Sequence, residues 1–190
     1  MTVLRIEGYV IVSADGMLAT ADRVMPDTLK YEGDQRFFNA ALDQVELVVH
    51  GRHSFEDQPN SPRRRRVVLS RSVAGLAPDP GNARATLWNP AGASFAQACD
   101  AAGATAGTVA IIGGPAVFAM FLGRYDTFWL SRAPHVRIPG GLGAFPGVPE
   151  LSIDDILANS GLRPQHQRLL DEAAGVTVTA WRRDGRQLSE

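Results

Sequence analysis

A short apolar run that closes on paired glycines and continues into a helix constrains this chain most: Val109-Ala-Ile-Ile-Gly-Gly-Pro-Ala-Val-Phe-Ala-Met-Phe-Leu122. A strand ending in Gly113-Gly114 brings bare backbone to a helix start. The free N–H groups and positive dipole end of such a helix suit a phosphate. The spacing is neither Gly-x-Gly-x-x-Gly nor the Gly-Lys-Ser/Thr ending of a P-loop, so a different nucleotide fold is implied.

The rest of the chain alternates strand and helix signals. Leu4–Val12 predicts a first strand, apolar on both faces in its later part. A loop follows from Ser13 to Gly33, broken by Asp15-Gly16 and Pro26. Phe37, Phe38, Ala41, Leu42 and Val45 recur at helical spacing, which predicts a helix over Asp34–Gln44 with Asp34 as N-cap. Glu46–His50, Arg66–Leu69, Ala85–Trp88, Thr108–Ile112 and Thr127–Leu130 predict further short strands. Ser94-Phe-Ala-Gln97 is a capping box opening a helix to about Ala102, and Pro115–Leu122 a second short helix. A Gly/Pro-rich loop spans Ile138–Pro149, an acidic segment begins at Ser152, and Val176–Trp181 alternates as a closing strand. Strands separated by helices predict an α/β fold with a mainly parallel central sheet flanked by helices, and the closing strand is expected to be antiparallel. Ligands of such sheets sit beyond the carboxyl ends of the strands.

Composition narrows the classes. At 190 residues a single domain over 1–190 is expected. A formal net charge of −1 points away from nucleic acid and anionic membranes. The lone Cys99 excludes a disulfide framework and a cysteine-based zinc site, and suits an inert core residue. The histidines at 50, 53, 135 and 166 show no metal-ligand spacing, so no metal is assigned. Arg5 and Glu7 interrupt what a signal peptide would keep apolar, and the longest apolar stretch falls short of the roughly 20 residues of a membrane span. A cytoplasmic protein is the resulting expectation.

The order of polar and glycine residues at the strand ends resembles the dihydrofolate reductase superfamily, over roughly Ile6 to Pro146. Gly51-Arg-His-Ser-Phe-Glu56 is similar to the family turn that meets the cofactor pyrophosphate. Arg66-Val-Val-Leu-Ser70-Arg71 is similar to the strand whose end meets the adenosine 2′-phosphate. Ile112-Gly113-Gly114, Phe128-Trp-Leu-Ser131 and Phe145-Pro146 resemble later pieces in the same order. Two branches compete. Ser13-Ala-Asp15-Gly16-Met-Leu-Ala19 and Gly-Gly-Pro resemble the reductase domain of riboflavin-biosynthesis deaminase–reductases, although Met17 and Ile112 stand where that branch has lysine and glutamate. The Gly-Arg-His-Ser-Phe-Glu turn, Phe37-Phe38 and Phe-Pro echo the dihydrofolate branch.

The resemblance implies NADPH as cofactor. It places Ile11, Leu18, Gly51, Arg52, His53, Ser54, Ser70, Arg71, Gly113, Gly114, Pro115, Ala116 and Val117 around it. Asp34 is the candidate proton donor, with Glu32 as its rival and Ser131 as the hydroxyl that orients it. Asp15, Phe38 and Arg64 are the candidate substrate contacts. The run Arg63–Arg66 otherwise reads as a solvated loop, and Trp129, Phe118 and Phe121 as core. The implied activity is reduction of a small nitrogen heterocycle, in first place the ribosylamino-uracil phosphate of riboflavin synthesis. Dihydrofolate or a pterin is the alternative, and a non-catalytic NADPH-binding protein a further one. A homodimer is expected, with Thr127–Leu130 and Val176–Trp181 as the edge.

Overall fold

The structure, a computed structural model, describes residues 3–183, so both ends of the 1–190 unit lie outside the described residues. In chain order it contains β1 (Leu4–Ser13), β2 (Met17–Ala19), α1 (Glu32–Leu42), β3 (Leu47–Gly51), β4 (Arg66–Leu69), β5 (Leu76–Asp79), β6 (Asn82–Trp88) and α2 (Phe95–Ala101). There follow β7 (Gly107–Ile111), α3 (Pro115–Met120), β8 (Thr127–Ala133), β9 (Leu142–Gly143), α4 (Ile153–Asn159), β10 (Leu162–Asp171) and β11 (Val176–Arg183).

Nine strands form one sheet in the order β10-β11-β8-β1-β7-β3-β4-β6-β5. The six central strands, β8 to β6, run parallel. The outer strands β11, β10 and β5 are antiparallel to their neighbours. Parallel strands carry helices on the sheet faces, so β3 and β7 each hold a run buried on both faces: Leu47, Val48 and Val49, and Val109, Ala110 and Ile111. The larger core packs Phe118, Phe121, Tyr125, Phe128 and Phe145 against β1, β8 and α2. A smaller cluster beneath α1 gathers Tyr9, Leu42, Val48, Phe37, Phe38 and Trp129. No helix among the described residues is long and apolar enough to cross a membrane.

Several boundaries differ from the sequence reading for identifiable reasons. α1 starts at Glu32 with Tyr31 at its N-cap, so Asp34 lies inside the first turn and is not a cap. Ser94 does form the capping box expected of it. The loop after β1 contains β2, which pairs with β9. β5 and β10 carry no periodic signal. β10 pairs on one side only, and Leu162 is its one buried residue, so no apolar alternation was required of it. Its presence moves the edge: β8 and β11 are interior, and β10 and β5 are the outer strands.

The arginine run is likewise not a solvated loop. Arg63 and Arg65 are exposed, whereas Arg64 and Arg66 are buried. Arg66, on β4, donates to the Glu56 carboxylate and to the Ser61 hydroxyl (2.6 Å) and carbonyl (3.1 Å). Arg64 donates to Asp43 (2.7 Å) and Asn39 (2.8 Å) on the α1 side. Its Nη1 also sits 2.8 Å from Glu56 Oε2, an ion pair without hydrogen-bond alignment. One buried carboxylate thus holds two buried guanidinium groups. Removing one partner of a buried ion pair leaves an uncompensated charge, so Glu56→Ala is expected to lower unfolding stability by about 3–5 kcal/mol. Denaturant titration checks this, and a loss below 1 kcal/mol, about what an exposed pair gives, would count against it.

Candidate active site

The parallel register brings the carboxyl ends of β1, β3, β4, β7 and β8 to one rim. Gly51 aligns with Leu69, Val49 with Ile111, and Ile11 with Ser131. The residues that follow these positions are the polar and glycine residues singled out from the sequence. A cavity of about 370 Å³ opens there. Its walls come from β1 (Tyr9, Val10, Ile11), the start of α1 (Asp34, Gln35, Phe37, Phe38), the turn after β3 (His53–Gln58), Ile112–Gly114 and β8 (Trp129, Ser131).

Asp34 is the carboxylate that α1 contributes to this wall. It is 8% exposed, and the Ser131 hydroxyl hydrogen-bonds its carboxylate. Burial raises its pKa above the ordinary 3.8, and the Ser131 bond only partly opposes this. Glu32, the rival, points outward and pairs with Arg36 in solvent. Asp34 is held there by the residue before it. A Cβ on Gly33 would lie 2.0 Å from the Leu170 carbonyl oxygen, so only glycine lets the first turn of α1 approach β10 this closely. Arg168, also on β10, stacks its guanidinium 4.9 Å over the Phe37 ring one turn further along.

The opposite end of the cavity is backbone. Gly113 has φ +110°, a conformation that favours glycine, and the Gly113–Gly114 peptide is cis. The Gly51 N–H donates to the Gly113 carbonyl (2.7 Å), which locks the two glycine turns together. A Cβ on Gly114 would sit 3.3 Å from Ser54 Oγ. Bare backbone from two loops therefore faces one serine hydroxyl, with exposed Arg52 and Arg71 nearby on the same rim. These residues fit a phosphorylated dinucleotide. α3 itself is only six residues long. Pro115 has no N–H, and those of Val117 and Phe118 already bond the Gly114 carbonyl. The helix start therefore offers fewer donors than the strand–Gly–Gly–helix pattern implies.

The structure brings Ile11, Leu18, Asp34, Phe38, His53, Ser54, Gly113, Gly114 and Ser131 to the cavity. Gly51, Arg52, Ser70, Arg71, Pro115, Ala116 and Val117 lie along the rim without lining it. The Ser70 hydroxyl shares a hydrogen bond with that of Ser72 (2.7 Å). Asp15 and Arg64 lie elsewhere. Asp15 staples the loop after β1. Burial raises its pKa, but bonds from the Ser13 hydroxyl and the Ile138 N–H (3.1 Å) bring the carboxyl below its ordinary value. Arg64 is occupied by Asp43, Asn39 and Glu56 and does not face the cavity. Trp129, read as core, is half-buried and lines the cavity. Phe118 does both. Cys99 is buried, and burial pushes its thiol up to about 11, which fits an inert core role. Tyr9, Glu56 and Gly33 were missed. The signal for Tyr9 was its place two residues before Ile11 on one strand face.

No family model matches the chain, and no curated protein matches its sequence. Solved structures do resemble it. A riboflavin biosynthesis protein from Shewanella sp. PV-4 superposes with a TM-score of 0.66 at 19% identity, over 95% of this chain and 99% of that one. Dihydrofolate reductase from Enterococcus faecalis, complexed with NADP(H) and RAB-propyl, gives 0.65 at 17% identity, over 95% and 97%. A diaminohydroxyphosphoribosylaminopyrimidine deaminase/5-amino-6-(5-phosphoribosylamino)uracil reductase from Thermotoga maritima gives 0.64 at 14% identity. There the match covers 94% of this chain and 56% of the larger protein.

Two outcomes follow from this geometry. Gly33→Ala is expected to cost about 1–3 kcal/mol through overpacking against Leu170, and to displace Asp34. A thermal melt that matches wild type would overturn that placement. The folded chain also holds the Asp34 proton more tightly than the unfolded chain does, so stability falls as pH rises from 3.8 through the raised value. Asp34→Asn removes that loss. Its stability advantage over wild type should grow with pH across that window, measured by denaturant midpoints at successive pH values.

Proposed function

Because this chain has the dihydrofolate-reductase-like fold, we propose that it is an NADPH-dependent reductase of a small nitrogen heterocycle, with 5-amino-6-(5-phosphoribosylamino)uracil as the favoured substrate. The observation that carries this reading is the pairing, in one cavity, of a buried Asp34–Ser131 couple with a rim of bare glycine backbone. Gly51, Ser54, Gly113 and Gly114 would hold the cofactor's phosphates. The exposed guanidinium groups of Arg52 and Arg71 would meet its further negative charge, and Ile11 and Leu18 would contact the nicotinamide. The bound cofactor supplies the hydride.

The chain supplies position, dryness and a proton. Phe37, Phe38 and Trp129 give the cavity an apolar wall that excludes water around a flat ring. Asp34, whose pKa burial raises, would face that ring and donate its proton to a ring nitrogen. Ser131 donates to the carboxylate left behind and fixes its orientation. Reaction rate should therefore fall as pH rises through the raised Asp34 value.

Dihydrofolate is the second reading, supported by the enterococcal likeness. Against it stands Arg64, the residue expected to hold an anionic substrate group, whose partners are already the chain's own carboxylates. Tryptophan quenching by NADPH and NADH, then NADPH oxidation with the ribosylamino-uracil phosphate and with dihydrofolate in parallel, tests both. Turnover of the first substrate with preference for NADPH is the expected result. Methotrexate-sensitive turnover of dihydrofolate alone would select the second reading. Asp34→Asn should lose about 10²–10⁴-fold in turnover while still binding NADPH. Indifference to that change would identify a binding protein instead.

A further inference from the structure

We infer that Glu7 is a positioning residue that sets the substrate-ring platform of this cavity, an inference that rests on the proposed reading. Glu7, Tyr9 and Ile11 share one face of β1, and Trp129 and Ser131 share the matching face of β8, with Tyr9 opposite Trp129 and Ile11 opposite Ser131. One carboxylate oxygen, Glu7 Oε2, accepts from both the Tyr9 hydroxyl (2.6 Å) and the Trp129 indole N–H (2.8 Å). The two rings lie nearly parallel, 14° apart in plane with centroids 6.4 Å apart. Phe37 meets Trp129 edge-on at 5.5 Å, and Phe38 meets Tyr9 edge-on at 6.3 Å. All four rings line the cavity, one strand step before Ser131.

The arrangement has a chemical direction. A tyrosine and a tryptophan in an apolar wall each carry a polar atom that must be satisfied when it leaves water. Glu7 satisfies both from behind the wall, so their faces and edges toward the cavity are left purely aromatic. Burial and the Glu7 charge together push the Tyr9 hydroxyl well above its ordinary value, so it stays a donor. A ligand's polar groups therefore gain nothing from this wall, and a planar, π-rich ring gains stacking and edge contacts. Its hydrogen-bonding edge is turned to the α1 side, where Asp34 and Gln35 line the cavity. The platform thus selects flat nitrogen heterocycles over aliphatic carbonyl compounds, and its rigidity depends on one carboxylate that does not itself line the cavity.

The test uses the full chain and two variants, Glu7→Leu and Glu7→Gln. The amide oxygen of Gln can still accept both donors, whereas Leu accepts neither. Lumazine, a flat pteridine-dione, is the binding probe, titrated by calorimetry, with NADPH titrated in parallel. Loss of two bonds predicts about a tenfold weaker lumazine Kd for Glu7→Leu, recovery toward wild type in Glu7→Gln, and an unchanged NADPH Kd in both. With a turned-over substrate, KM should rise by a similar factor while kcat changes little. Equal lumazine affinity in Glu7→Leu and wild type would overturn the inference, as would wild-type protein that does not bind lumazine. If Glu7→Leu does not fold, Tyr9→Phe keeps the ring and drops one donor. It must then weaken lumazine and spare NADPH, and equal affinity again overturns the inference. Failure of the reductase reading shows differently, as wild-type protein that binds no NADPH, and the lumazine series still decides the platform.

Discussion

One buried carboxylate, Glu56, holds one wall of the cavity in place. It lies between Arg64 and Arg66, all three nearly excluded from water. Charges so placed are costly unless paired, so the segment 52–61 cannot move without exposing or orphaning one of them. That segment supplies His53, Ser54, Phe55 and Gln58 to the cavity. Arg66 belongs to β4, an interior strand of the sheet, so the turn after β3 is tied to the sheet itself. Through Asp43 and Asn39, Arg64 extends the same network to α1, the helix that carries Asp34.

The two ends of the cavity use opposite solutions to the problem of polar groups near an apolar core. At the glycine end, backbone and a serine hydroxyl lie close together because no Cβ intervenes. At the Asp34 end, a carboxyl is kept beside aromatic rings at a cost in stability, offset in part by one hydroxyl. Groups that are strained or desolvated without local recompense concentrate where chemistry is done. Glu7 satisfies two ring donors, and Asp15 staples two loops.

The edge of the molecule also matters to its centre. β10 buries almost nothing of itself, yet its Leu170 carbonyl abuts Gly33 and its Arg168 covers Phe37. A strand that is marginal as a strand thereby sets the depth at which α1 docks. Tertiary contact of this kind leaves no periodic trace in the strand that makes it.

Much of this was legible in the residues. Runs such as Leu47–Val49 and Val109–Ile111, apolar on both faces, demand a sheet covered on both sides, and the glycine pair after the second fixes which end of that sheet is open. The order of polar residues at successive strand ends then pointed to the fold, and the structure gathers Asp34, Ser131, Ser54, Gly113 and Gly114 around one cavity. Sequence could not decide which charges turn inward. Arg63 to Arg66 are chemically alike, and only the position of Glu56 in the fold draws two of them inward and leaves the others exposed. Nor could it decide that Arg64 is used up by the chain's own acids, that Trp129 faces the cavity, or that Glu7 and Trp129, far apart in sequence, share a hydrogen bond. Local pattern records how each segment meets water. Which segment meets which is settled by register and packing between strands, and only the folded sheet contains that information.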